Sequence, residues 1–226
     1  PARYPAWADP LPFVYASSGA ETLFQDARDP LARPRRVFAI HRPETLRTML
    51  GAGSSLRARL GTLPPLDPTR LRPCQAEAIA GVEASLAEGK PRALVSMATG
   101  AGKTYTACAL THRLLSPPVR MGRVLFLVDR ANLGTQAKRE FDAFAPGGAG
   151  LLFREEFTVQ HLQGSTIDPS ASVVISTVQR LYSVLRGQPF DDADDERGGF
   201  ERAVDDAERP VTYNPAIPPE TFDLII

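Results

Sequence analysis

The run Met97-Ala98-Thr99-Gly100-Ala101-Gly102-Lys103-Thr104 brings two glycines, a lysine and a hydroxyl into one short stretch, and together they suit the binding of a polyphosphate. Gly100 and Gly102 allow the backbone N–H groups of Thr99 to Thr104 to turn inward around phosphate oxygens. Lys103 supplies a point charge for β- and γ-phosphates, and the Thr104 hydroxyl is suited to hold Mg²⁺. Met97 stands where the general G-x-x-x-x-G-K-[ST] pattern has its first glycine.

A loop of this kind is expected between a strand and a helix that receives it, because the helix N-terminus presents unpaired N–H groups and a positive dipole end. Arg92-Ala93-Leu94-Val95-Ser96 is an apolar segment of strand length, and Tyr105 to Leu115 continues at helical spacing. That context favours a nucleotide loop over a glycine-rich turn that happens to enter a helix.

Upstream, Cys74 to Glu88 is helical, with Ala78, Ile79, Val82 and Leu86 on one face and Gly89 as the stop. Downstream, Arg123 to Asp129 is a continuous apolar run of the type buried on both faces of a parallel sheet, and a helix follows over about Asn132 to Phe144. Strands are expected at Thr158 to Leu162, Ser172 to Ser176 and Phe222 to Ile226, with a helix over Val178 to Leu185. Strands alternating with helices imply a parallel α/β sheet. Before all this, Pro12 to Ala16, Thr22 to Phe24 and Arg36 to Ile40 read as strands, with Ser17-Ser18-Gly19 as a turn. His41 to Pro73 is rich in Pro, Gly and Arg, with a short helix at Pro43 to Leu50, and reads as a linker.

With 226 residues, 43% of them apolar, the chain can build a real core. Neither a signal sequence nor an apolar run of transmembrane length is present, so no membrane role is expected and the cytoplasm is the expected compartment. Cys74 and Cys108 make no disulfide framework or zinc site and are expected as free thiols. A formal net charge of zero hides an asymmetry. Arg28 to Arg72 holds ten arginines against Asp29, Glu44 and Asp67, while Asp191 to Arg209 holds nine acids and reads as an exposed insertion loop. The basic stretch suits either contact with nucleic-acid phosphate or a plain solvated surface.

Several segments resemble the first motor domain of superfamily 2 helicases and translocases, most closely that of the R subunit of type I restriction enzymes. Leu71-Arg72-Pro73-Cys74-Gln75 is similar to the motif that precedes the loop, usually written L-R-x-Y-Q, with Cys74 in place of the aromatic residue. The resemblance implies that Gln75, with Arg72 beside it, reads the adenine edge of ATP; a carboxamide offers the donor and acceptor that adenine requires. Val124 to Gln136, containing Asp129-Arg130-Ala131, is similar to motif Ia, and Ser176-Thr177-Val178-Gln179-Arg180 to motif Ib. The resemblance therefore places Arg130, Ser176 and Thr177 on the backbone of double-stranded DNA, with helix capping as the other ordinary use for the two hydroxyls.

Thr212 to Ile226 resembles the approach to motif II, whose Asp-Glu box is expected just beyond Ile226, while Asp223 is expected at the wrong end of its strand to substitute. Arg3 to Leu46 resembles the rear of the family's nuclease domain, yet Asp9, Glu21, Asp26 and Asp29 lack a partnering lysine and receive no catalytic role. His41, His112 and His161 are expected as structural or exposed residues, not ligands.

The resemblance implies three parts: residues 1–42 as a β-rich nuclease edge, 43–70 as a linker, and 71–226 as a RecA-like P-loop domain with a parallel sheet flanked by helices. It implies ATP and Mg²⁺ as cofactors, Lys103 and Thr104 as the catalytic residues present, and double-stranded DNA with methylase and specificity subunits as partners. The implied activity is that of an ATP-dependent DNA translocase and restriction endonuclease in the whole protein. Two other readings stand beside it: a type III restriction or DNA-repair helicase, and a nucleotide-regulated interaction module without chemistry.

Overall fold

The computed structural model describes residues 8, 10–147, 150–188 and 213–226. The chain forms two compact units, one of Pro1–Asp67 with Ala80–Val95, the other of Pro68–Ile79 with Ser96–Ile226.

The first unit holds an antiparallel sheet in the order β1-β2-β3, from β1 (Phe13–Ser17), β2 (Thr22–Asp26) and β3 (Arg35–Val37). Gly19, at φ +86°, turns the chain between β1 and β2. Alternation along β2 puts Phe24 and Asp26 inside. The fully buried Phe24 meets the rings of Tyr15 at 4.9 Å and His41 at 4.6 Å. Asp26 is tolerated there because Arg28 donates to both its oxygens, at 2.9 and 2.8 Å.

The expected linker is more ordered than its composition suggests. It carries α1 (Pro43–Gly51) and α2 (Leu56–Leu60); the Ser55 hydroxyl caps α2 by accepting from Ala58 N at 3.1 Å, and both Ser55 and Leu60 are buried. The first unit ends at Asp67 and takes up the chain again at Ala80, within α3 (Pro73–Ala87).

The second unit is RecA-like: a parallel sheet in the order β5-β6-β4-β7, flanked by helices. Its strands are β4 (Val124–Val128), β5 (Val159–His161), β6 (Val173–Thr177) and β7 (Leu224–Ile225), and its helices include α4 (Lys103–Leu115), α5 (Ala131–Ala143), α6 (Phe153–Glu156) and α7 (Val178–Arg186). All five residues of β6 are buried, as a central parallel strand requires. Beside the sheet, Leu125, Leu162, Ala171, Val174 and Val184 form one apolar cluster, completed by Leu127, Ile167, Leu181, Ile217 and Phe222.

A second cluster is aromatic. Phe153, fully buried, meets Phe141 at 5.2 Å and Phe157 at 5.3 Å, while His112 lies 6.0 Å from Phe153 with its Nε2 3.4 Å from Glu156. Burial lowers the His112 pKa, with Glu156 acting in the opposite sense. Cys108 is buried nearby on α4, and desolvation pushes its thiol far up, so it is inert; Cys74 is exposed. Truncating Phe153→Ala removes the ring that joins α5 to α6, and the denaturation midpoint of the unit should fall by an amount equivalent to about 3–5 kcal/mol.

One expected strand is missing. Arg92 to Ser96 forms no ladder, and Leu94 is 96% exposed. Apolar residues give a segment the capacity to be a strand, but only a paired neighbour makes it one. Helix α6 leaves no signal in the sequence, because four residues show no periodicity. The acidic run 191–209 lies outside the described residues. Among the described residues no helix is long and apolar enough to cross a membrane.

Candidate functional site

Gly100 and Gly102 adopt φ +79° and +86°, a left-handed geometry that bends residues 97–102 into a loop and hands the chain to α4 at Lys103. Any side chain at Gly102 would strike Gln75, whose Nε2 would lie 2.4 Å from the added Cβ; the space around Gly100 is open. The helix start carries no acidic residue, so nothing on its first turn would oppose an anion at its unpaired N–H groups.

The start of α3 is stitched to this loop. The Gln75 Oε1 accepts from Arg72 N at 2.9 Å, and its Nε2 donates to the Ala101 carbonyl at 3.0 Å. Arg72 donates from its guanidinium to the Gly100 carbonyl at 2.9 Å. Gln75 is 4% exposed, so its carboxamide first serves to hold the loop; one N–H and one lone pair remain beyond these bonds. Thr106, which the sequence reading passed over, donates from its hydroxyl to the Gly102 carbonyl at 2.9 Å. Its signal is ordinary back-bonding of a helical threonine, which looks the same in any helix.

Lys103 curls back over the loop, its Nζ 3.2 Å from the Ala98 carbonyl and 3.4 Å from that of Met97. Thr99 is exposed; Ala101 and Thr104 are half-buried at the same mouth. An ammonium held by carbonyl oxygens, two left-handed glycines and a helix N-terminus fit a polyphosphate, and a hydroxyl at Thr104 fits an accompanying magnesium ion.

Arg130, Ser176 and Thr177 do come together. The register Val128↔Thr177 places Thr177 and the Arg130 that follows β4 at the C-terminal edge of the sheet. Their exposures differ sharply. The Arg130 side chain is 42% exposed, with Nε 3.8 Å from Asp129, whereas Ser176 and Thr177 are fully buried. The Thr177 hydroxyl caps α7 by accepting from Arg180 N at 3.1 Å, and Ser176 donates to the Thr177 carbonyl at 3.0 Å. The buried hydroxyls thus position α7, and capping is the use this structure displays for Thr177. Asp223 stands at the opposite edge, where its Oδ2 accepts from Gly122 N at 2.6 Å.

Residues 68–214 match the family described as type III restriction enzyme, res subunit. The chain belongs to this family. The relatives that it matches include endonuclease subunits of type I restriction enzymes. It is 32% identical over 182 residues to the type I restriction enzyme EcoKI endonuclease subunit of Escherichia coli strain K12, covering 76% of this chain. The EcoAI endonuclease subunit of Escherichia coli is 33% identical over 117 residues, and the SauCOLORF180P endonuclease subunit of Staphylococcus aureus strain COL is 30% identical over 117. In both, 52% of this chain is covered. The chain spans only 15%, 13% and 12% of these three relatives. A fragment structure described as an HsdR subunit of a type I restriction enzyme from Vibrio vulnificus YJ016 matches 79% of this chain and 31% of that one, at 23% identity and a TM-score of 0.38.

Proposed function

We propose that this restriction-family chain is the ATP-binding part of a type I motor subunit, one that couples ATP hydrolysis to movement of double-stranded DNA ahead of cleavage. The observation that carries this reading is the loop itself, with its left-handed glycines and with Lys103 lodged against its own carbonyls. On nucleotide entry the Lys103 ammonium exchanges those carbonyls for β- and γ-phosphate oxygens, and N–H groups from Thr99 to Thr104 close around them. Thr104 would hold Mg²⁺, which neutralises phosphate charge when bound. Arg72 and Gln75 lie beside the loop with donors to spare for adenine.

At the C-terminal edge of the sheet Arg130 reaches a DNA phosphate, while Ser176 and Thr177 set the N-terminus of α7, whose backbone N–H groups suit the same backbone. The whole protein then works in the cytoplasm with methylase and specificity subunits.

A second reading has one specific observation in its favour, the type III wording of the matched family. Purification of the intact chain with a separate specificity subunit supports the type I reading; purification with a modification subunit alone supports type III. The decisive experiment is ATP hydrolysis by the intact chain with its partners, with and without duplex DNA carrying the recognition site. Stimulation by DNA is expected. Turnover that is absent or indifferent to DNA overturns the motor and leaves the nucleotide-regulated interaction module.

A further inference from the structure

The first unit contains a groove of about 480 Å³ whose lining includes Arg33, Arg35, Arg36, Arg57 and Arg92. Five arginines line it, and the lining has a single acid, Glu88. Neighbouring carboxylates are already engaged: Asp29 with Arg57 at 3.3 Å, Glu88 with Lys90 at 2.7 Å, and Glu21 with Arg36. Among the described residues, Arg33, Arg35 and Arg92 have no carboxylate in ion-pair contact.

The groove is built, not merely exposed. Arg35 is fixed by β3, opposite Phe24 in the ladder, and its guanidinium lies over the Phe24 ring at 5.1 Å. Gly89, at φ +76°, ends α3 without a side chain, and the Arg57 guanidinium comes within 3.9 Å of where a Cβ would stand. Arg57 is half-buried and held by Asp29, while Arg33 and Arg92 are exposed. Burial, and next the charge of Arg57, hold the Arg35 pKa below its ordinary value, against the opposing pull of Asp29, Asp26 and Tyr15.

Excess positive charge in a concave, partly desolvated site attracts an anion, and the planar fork of arginine matches phosphate oxygens in pairs. We infer that this arginine groove binds the phosphodiester backbone of duplex DNA, at a site separate from the nucleotide loop and from Arg130. It reads no base sequence, because guanidinium contacts to phosphate position a duplex without discriminating bases. The ten-arginine stretch from Arg28 to Arg72 supplies four of the five groups, and Arg92 is brought in by the turn after α3.

The test uses the intact chain without nucleotide, so that it is independent of motor activity, and a fluorescent duplex lacking the recognition site. Arg33→Glu with Arg92→Glu should weaken binding at least tenfold at low salt. The slope of log Kd against log salt should fall by about 2, since each lost phosphate contact removes about 0.9. Arg33→Lys with Arg92→Lys should restore most of the affinity, and a charge-matched control, Arg47→Glu with Arg186→Glu, should stay within about twofold of wild type. An unchanged slope in the groove variant, or a loss no larger than in the control, overturns the proposal. So does a groove variant that loses inorganic triphosphate binding while retaining DNA, which would assign the site to free polyphosphate.

Discussion

Replacing Lys103 with alanine should reduce DNA-stimulated ATP turnover by the intact chain on the order of 10²–10³-fold, the range measured when one preorganised charge-stabilising donor is removed from a reacting centre. The reason is positional. The Nζ of Lys103 lies within 3.4 Å of two loop carbonyls, held over the loop mouth by the first turn of α4, where β- and γ-phosphate oxygens would replace those carbonyls. Alanine keeps the helix and the glycines, so the folded structure should survive and the deficit should appear mainly in kcat. Turnover by Lys103→Ala within a few-fold of wild type would exclude this loop as the reacting site.

Gly102→Ala should weaken nucleotide binding on the order of 10–100-fold, and Gly100→Ala clearly less. Both residues occupy the left-handed region, where a Cβ costs roughly 1–2 kcal/mol. Only at Gly102 does the new Cβ also collide, 2.4 Å from the Gln75 amide nitrogen, while Gly100 has open space. Relieving that contact displaces Gln75 from the Ala101 carbonyl and unties α3 from the loop, adding about 0.5–1.5 kcal/mol. Titration of both variants with a fluorescent ATP analogue separates the two contributions. Equal losses would mean that Gln75 does not brace the loop.

The comparison of those glycines shows where sequence reading reaches its limit. A pattern of glycine, lysine and threonine identifies the loop, because the backbone conformations it needs are open to few residues. It says nothing of Gln75 lying against Gly102, a contact across 26 residues from Gln75 to Ala101 that depends on how α3 docks. Gln75 was assigned to adenine from the family pattern alone; the fold employs it first as a brace.

Thr177 illustrates the same limit from the other side. Its hydroxyl at the start of α7 was suited to DNA phosphate or to capping, and its 1% exposure decides that the side chain faces inward. Arg130, at an equivalent turn after β4, faces outward. Both residues are N-caps in a strand-to-helix turn, and no local spacing distinguishes them.

Elements with strong periodicity or long apolar runs were legible to within one or two residues: α3, α4, α5 and α7, and the strands β4 and β6. Each carries its signal within its own span, because amphipathic spacing and buried apolar runs are local properties. Arg92 to Ser96 has the same kind of signal yet forms no strand pairing among the described residues, and residues 43–67, turn-rich in composition, fold into the first unit. The arginine groove belongs to this second class, since Arg33 and Arg92 are far apart in the chain and meet only through β3 and the turn after α3.

By itself the sequence determined the loop, the alternation of strands and helices, and the family, since these rest on short-range stereochemistry and on residue types in fixed order. The tertiary structure decided which polar groups face solvent, which are consumed in holding one another, and where distant arginines converge. Those outcomes follow from burial and from pairing between distant segments, and neither is encoded within any one stretch of chain.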